Sequence, residues 1–149
     1  MRVYLDNCCY NRPFDDQFQP RIALETQAKM YVQSLIKKGE IELATSFMLK
    51  YENSKNSYIK KKNIIDSFMN DYSDVYIGKQ LEERLSQMVD EIEATGVKSA
   101  DATHIACAIL AECDYMLTTD DRLLRYKNEK IKIVNPTEFV AIIGGIKNE

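Results

Sequence analysis

Short apolar runs alternate with helical segments along the whole of this chain. Strand-like runs lie at 2–6, 41–44, 115–118 and 131–134, with an ambiguous one at 74–77. Apolar periodicity and capping signals predict helices at 21–38, 56–69, 79–94, 99–112, 121–126 and 136–144, and a polar loop at 7–20. A further helix, capped by Thr45 or Ser46, is predicted to run to about Asn53. Because strands that alternate with helices form crossover units, we expect an α/β fold with a mainly parallel sheet.

The size and charge of the chain narrow the classes of protein that it can be. Its 149 residues are enough for one domain, which we expect to span 1–149. The net charge of −3 and the pI near 5.3 argue against a basic protein that coats nucleic acid without specificity. No apolar run approaches the ~18 residues of a membrane span, and no signal-peptide core follows the N-terminus. We therefore expect a cytoplasmic protein that does not associate with a membrane.

Four carboxylates stand at places where an α/β sheet binds ligands. Asp6 ends the first strand, Asp120 follows the strand at 115–118, and Asp101 lies in the first turn of the most apolar helix. Glu52 lies one to two turns into the helix after the second strand. In parallel sheets, ligands bind at the carboxyl ends of the strands. A divalent cation would offset the cost of burying several carboxylates together, and carboxylate ligands suit Mg²⁺ or Mn²⁺.

Each of these acids also has an ordinary structural explanation. Asp101 is favoured by the dipole of its helix, and Asp120 can cap the short helix that follows it. Glu52 can be a solvated helix residue beside Lys55. Asp6 is the hardest to explain in this way, because an acid at the end of a buried strand needs a partner. From the pattern alone, the metal site and the structural explanations both stay open.

Four segments, taken in order, resemble the PIN-domain nuclease family, which includes the VapC-type toxins. They are Val3-Tyr-Leu-Asp6, Thr45-Ser46 followed by Glu52, Asp101-Ala-Thr-His-Ile-Ala-Cys-Ala108 and Leu117-Thr-Thr-Asp120. The resemblance covers about residues 2 to 140, and the last two segments are its most specific part. It implies a three-layer α/β/α sandwich whose acidic cluster binds Mg²⁺ or Mn²⁺. It also implies hydrolysis of RNA phosphodiester bonds without a covalent intermediate.

The resemblance further implies roles for individual residues. The catalytic, metal-ligating positions are matched by Asp6, Glu52, Asp101 and Asp120. Ser46 matches a polar residue beside the site, and Thr118 matches the threonine that precedes and orients the last acid. Asp121 is adjacent to Asp120, so either can supply the fourth ligand, and the distance from Thr118 favours Asp120.

The loop and the basic residues give less specific predictions. The loop at 7–20 is longer than in compact toxins, and it either shapes substrate access or fixes the fold through Arg12. Lys50 and Lys55, interleaved with tyrosines, can grip a phosphate backbone, but a solvated helix face explains them equally well. His104, the only histidine, is predicted to pack within its helix rather than to act as a general base.

Two functions of different classes follow from these observations. The first is a Mg²⁺- or Mn²⁺-dependent endoribonuclease, which the resemblance associates with an RNA substrate, a toxin–antitoxin pair, an antitoxin partner and a homodimer. The second is a non-catalytic PIN-like module for RNA binding or assembly. The presence of all four acids favours the nuclease, because such modules often lose them. A metal-dependent phosphatase is disfavoured, because Cys8 stands where its second aspartate is needed.

Overall fold

A parallel five-stranded sheet organises the chain. The computed structural model describes residues 1–147. The strands, in the spatial order β3-β2-β1-β4-β5, are β1 (Arg2–Leu5), β2 (Glu42–Ser46), β3 (Val75–Ile77), β4 (Tyr115–Leu117) and β5 (Lys132–Val134). Within the described residues, every neighbouring pair of strands is parallel. The predicted α/β class is therefore confirmed, and the ambiguous run at 74–77 forms the edge strand β3.

Helices occupy most of the remaining chain. Over the described residues they are α1 (Asn7–Asn11), α2 (Pro20–Lys37), α3 (Phe47–Ser54), α4 (Ile59–Tyr72), α5 (Glu82–Glu93), α6 (Ser99–Leu110), α7 (Asp121–Arg125) and α8 (Pro136–Lys147). The predicted loop at 7–20 is wrong in its first half, which folds as α1 and a 3₁₀ turn at Arg12–Phe14. The last helix runs past its predicted end at Gly144, because a glycine costs a helix only about 1 kcal/mol.

The helices cover both faces of the sheet. Helix α2 packs against α8, and α5 packs against α6. The chain moves from β1 outward to β2 and β3, and then crosses back to β4 and β5. Because parallel crossovers are right-handed, this reversal places α2 and the α5–α6 pair on opposite faces, which confirms the predicted three-layer sandwich. The reversal falls between β1 and β4, the place where ligands bind in such sheets.

The central strands and α6 form the middle of the core. Val3, Leu5 and Met116 on adjacent strands are fully buried. Helix α6 is buried almost all round from 102 to 108, as its apolar composition predicts. None of the described helices combines the length and the apolar character that a membrane span requires.

A buried carboxylate ties the segment after α1 to the rest of the fold. Glu25 on α2 is 1% exposed and forms ion pairs with Arg12 at 3.0 Å and Arg21 at 3.1 Å. The side-chain amide of Asn135 also donates a hydrogen bond to it. Arg12 binds Asp15 as well, at 3.1 Å. Of the two roles expected for Arg12, this geometry favours the one that fixes the fold.

We expect Glu25→Gln to lower the free energy of unfolding by about 2 kcal/mol, because it removes the buried negative charge that Arg12 and Arg21 contact and weakens the charged hydrogen bonds made to it. Urea denaturation followed by circular dichroism measures this difference. The matched control is Glu42→Gln, which breaks an exposed pair with Arg2 (3.3 Å) and should cost less than about 1 kcal/mol. Equal losses in the two variants would contradict a structural role for Glu25.

Candidate metal centre

The carboxyl ends of β1 and β4 bring two predicted site residues together. Asp6 follows β1, is 6% exposed, and donates its backbone N–H to the Leu117 carbonyl at 2.9 Å. One of its carboxylate oxygens accepts the Asn7 N–H, and the other accepts the Thr118 hydroxyl, both at 2.8 Å. The Thr118 oxygen in turn accepts the backbone N–H of Asp120 at 3.1 Å. Thr118 therefore connects the acids that follow the two strands.

Glu52 and His104 form a close group with Asp6. Glu52 lies on α3, which Ser46 caps by accepting the Leu49 N–H at 3.3 Å. His104 lies on α6 and is fully buried. Its Nε2 lies 2.6 Å from Oε1 of Glu52 and 4.0 Å from Oδ1 of Asp6. Each of the three residues carries an atom of a type that can bind a metal, and these atoms lie within 4.8 Å of one another.

A buried hydrogen-bond chain supports His104 on its other side. The Tyr4 hydroxyl lies 2.6 Å from Nδ1 of His104 and 2.6 Å from Oγ of Ser46, and all three side chains are fully buried. Burial raises the pKa of Tyr4, so its phenol keeps its proton. Burial lowers the pKa of His104, but the hydrogen bond to Glu52 and the charge of Asp6 outweigh it and leave the pKa raised. His104 is therefore an N–H donor to Glu52.

The other two predicted ligands line a cavity beside this group. Asp101 lies in the first turn of α6, and Asp120 immediately precedes α7. Burial raises the pKa of Asp101, and the charges of Asp6, Asp120 and Glu52 raise it further. The four acids thus interact electrostatically. Asp120 also caps α7 by accepting the Arg122 N–H at 2.9 Å, as its position in the sequence predicts. This capping role is compatible with metal binding by the same carboxylate.

Asp121 has a different partner from its neighbour. Both of its carboxylate oxygens accept hydrogen bonds from the Arg21 guanidinium, at 2.8 and 3.0 Å. These bonds lower the pKa of Asp121, whose side chain is 60% exposed. Asp120, in contrast, shares a cavity with Asp101. The preference for Asp120 over Asp121 agrees with this placement, although ligation by either acid stays a prediction.

The chemistry of the donor set fits a divalent cation. The acids supply carboxylate oxygens, which Mg²⁺ and Mn²⁺ prefer as ligands. Within the described residues, no lysine or arginine forms an ion pair with Asp6, Glu52 or Asp101. Burial raises the pKa of Asp101 most, and the neighbouring carboxylates raise it further through a repulsion that a bound cation would relieve.

The basic residues predicted to contact substrate have other partners. Arg12 is held by the buried Glu25. The ammonium of Lys50 donates a hydrogen bond to the side chain of Asn70. The ammonium of Lys55 lies 5.1 Å from the centre of the Tyr51 ring. None of these contacts involves the acids of the candidate centre. The part of Lys50 and Lys55 in substrate binding stays a prediction.

Sequence reasoning placed His104 in a helix but missed its contact with Glu52. One signal was available, because a spacing of three residues puts Asp101 and His104 on the same helix face. The partner, however, lies 52 residues away on α3. No local pattern specifies a pair at that distance.

Comparison with known proteins supports the fold. No family model and no curated protein matches this sequence. Among solved structures, one similar chain belongs to the crystal structure of VapBC2 from Rickettsia felis bound to a DNA fragment from their promoter. The TM-score is 0.55 at 14% sequence identity, over 91% of this chain and 98% of that chain. At this identity the likeness extends to the arrangement of strands and helices and no further.

Proposed function

We propose that this chain is a Mg²⁺- or Mn²⁺-dependent endoribonuclease that hydrolyses RNA phosphodiester bonds. The observation that carries the proposal is the group of Asp6, Glu52 and His104, in which two carboxylates converge beside the imidazole that contacts Glu52, with their polar atoms within 4.8 Å of one another. Asp101 and Asp120 extend this group along the adjacent cavity. The resemblance to PIN-domain nucleases and the fold shared with a chain of the VapBC2 structure support the same class.

The residues of the chain would hold and orient the acids around the reacting phosphate. A divalent cation, when bound, supplies activation of water and stabilisation of charge on the phosphate oxygens. Thr118 orients Asp6, and the His104 N–H orients Glu52. Burial and the neighbouring carboxylates raise the pKa of Asp101, and a bound cation would favour its charged form.

We propose that this chain is the toxin of a toxin–antitoxin pair. The similar solved structure is of VapBC2 on DNA from their promoter, and that description applies to those proteins alone. For this chain, a protein antitoxin and a second copy of the chain are proposed partners. We also propose that the chain acts in the cytoplasm, where it would meet an RNA substrate.

Cleavage of a mixed small-RNA pool by the purified chain tests the proposal. We expect fragments with Mn²⁺ or Mg²⁺ and intact RNA with EDTA. Metal binding has its own readout, since Mn²⁺ at 100 times its Kd should raise the free energy of unfolding by about 2.7 kcal/mol. RNA that is bound but never cleaved, by a chain that Mn²⁺ does not stabilise, would contradict the nuclease. That result would favour the non-catalytic RNA-binding module.

A further inference from the structure

A cavity of about 560 Å³ extends from the candidate metal centre along α7. Asp101 and Asp120 line it, and its other walls are the connection at 95–98 and the segment at 122–127. Four of the lining side chains are basic, and they are Lys98, Arg122, Arg125 and Lys127. The basic residues of the cavity thus outnumber its acids, although the chain as a whole carries a net charge of −3.

These basic side chains form no close ion pair within the described residues. In the part of the chain that the structure describes, none of the four forms a salt bridge, whereas Arg2, Arg12 and Arg21 each pair with a carboxylate. Arg122 and Arg125 are also exposed to solvent. A concave surface with more basic than acidic side chains attracts anions.

An aromatic side chain lies among these basic residues. Tyr126, half-buried, lines the cavity between Arg125 and Lys127 in the chain. The side-chain amide of Asn128 donates a hydrogen bond to its hydroxyl at 3.0 Å, which holds the phenol in place. Basic residues interleaved with an aromatic ring are the composition that binds single-stranded nucleic acid, through phosphate contacts and base stacking.

We infer that this cavity binds the phosphate chain of single-stranded RNA beside the bond to be cleaved. Arg122 and Arg125 contact phosphates, and Tyr126 stacks on a base. The inference rests on the proposed function for the position of that bond at Asp101 and Asp120. It differs from the sequence prediction, which located the phosphate grip at Lys50 and Lys55, on α3 and at its C-terminal end.

Binding of a fluorescent single-stranded RNA to the full chain in EDTA tests this inference without cleavage. Arg122→Gln/Arg125→Gln should raise Kd roughly tenfold or more, and it should reduce the slope of log affinity against log salt by about 1.4. The slope falls because each phosphate contact to a single strand contributes about 0.7. Tyr126→Leu should raise Kd at least about fivefold with the slope unchanged, because stacking is not ionic. Fluorescence anisotropy at several salt concentrations measures both quantities.

The matched control removes two exposed charges elsewhere on the surface. Lys38→Gln/Lys79→Gln should change neither Kd nor slope, and thermal unfolding of every variant checks that it is folded. If the Arg122/Arg125 variant behaves like this control, the inference is overturned.

Four other outcomes separate the inference from its alternatives. Loss of RNA binding in Lys50→Gln/Lys55→Gln alone would locate the phosphate contacts on α3 and overturn the inference. Binding of poly-glutamate but not RNA through Arg122 and Arg125 would overturn it in favour of an acidic protein segment. RNA binding through these arginines in a chain that cleaves nothing would support the inference while the proposed nuclease fails. Metal-dependent cleavage that the Arg122/Arg125 substitution leaves unchanged would support the proposed nuclease and overturn the inference.

Discussion

Asp6→Asn should reduce metal-dependent RNA cleavage by about 10³-fold or more, equivalent to about 4 kcal/mol of transition-state stabilisation. Asp6 is the acid at the switch point of the sheet, and its oxygens accept hydrogen bonds from Asn7 and Thr118. Asparagine keeps the size of the side chain but removes the charge that a cation needs. Mn²⁺ should then no longer raise the free energy of unfolding of the variant. Single-turnover cleavage and Mn²⁺-dependent thermal unfolding measure the two effects.

Asp121→Asn is the matched control for this variant. It makes the same substitution near the same edge of the sheet, but it disrupts only an exposed pair with Arg21, so cleavage should stay within about twofold of wild type. An Asp6→Asn chain that cleaves RNA and binds Mn²⁺ like wild type would contradict the metal centre. A loss in Asp121→Asn as large as in Asp120→Asn would show that sequence spacing and geometry had favoured the wrong acid.

Some elements of the fold could be predicted from the sequence and others could not. The strand at 115–118 was predictable because its side chains are apolar and flanked by polar turns. The three residues of β3 show no usable periodicity, and their state depends on pairing with β2, where Val75 aligns with Ala44. Helix α1 was missed because its five residues are too few to show a helical periodicity. Its N-cap is Asp6, a residue that had been assigned to the strand before it.

The candidate site was predictable to the level of its segments. Acids at the ends of strands are visible in the sequence, and the sheet topology brings the ends of β1 and β4 together. The choice between Asp120 and Asp121 depends on Arg21, a residue about 100 positions away that binds one of them. The pairing of Glu52 with His104 likewise depends on how α3 packs near α6. Contacts between distant elements follow from tertiary packing, which no local pattern encodes.

His104→Ala should weaken Mn²⁺ binding by about 10- to 100-fold, because groups that orient a metal ligand typically contribute that much to affinity. The ring Nε2–H donates to Glu52 at 2.6 Å and so limits the positions that the carboxylate can take. Without the ring, Glu52 faces a buried void and loses its only described hydrogen-bond donor. Isothermal titration with Mn²⁺ measures the change in affinity on the folded variant.

Because His104 is fully buried, a second variant separates positioning from packing. Tyr4→Phe keeps the aromatic ring but removes the hydroxyl that lies 2.6 Å from Nδ1 of His104. It should weaken Mn²⁺ binding in the same direction by a smaller factor. In a double-mutant cycle, His104→Ala should have little further effect on affinity once Glu52 is replaced by glutamine, since the two residues act through one contact. If His104 only packs, both substitutions would lower the free energy of unfolding and leave the Mn²⁺ affinity of the folded chain unchanged.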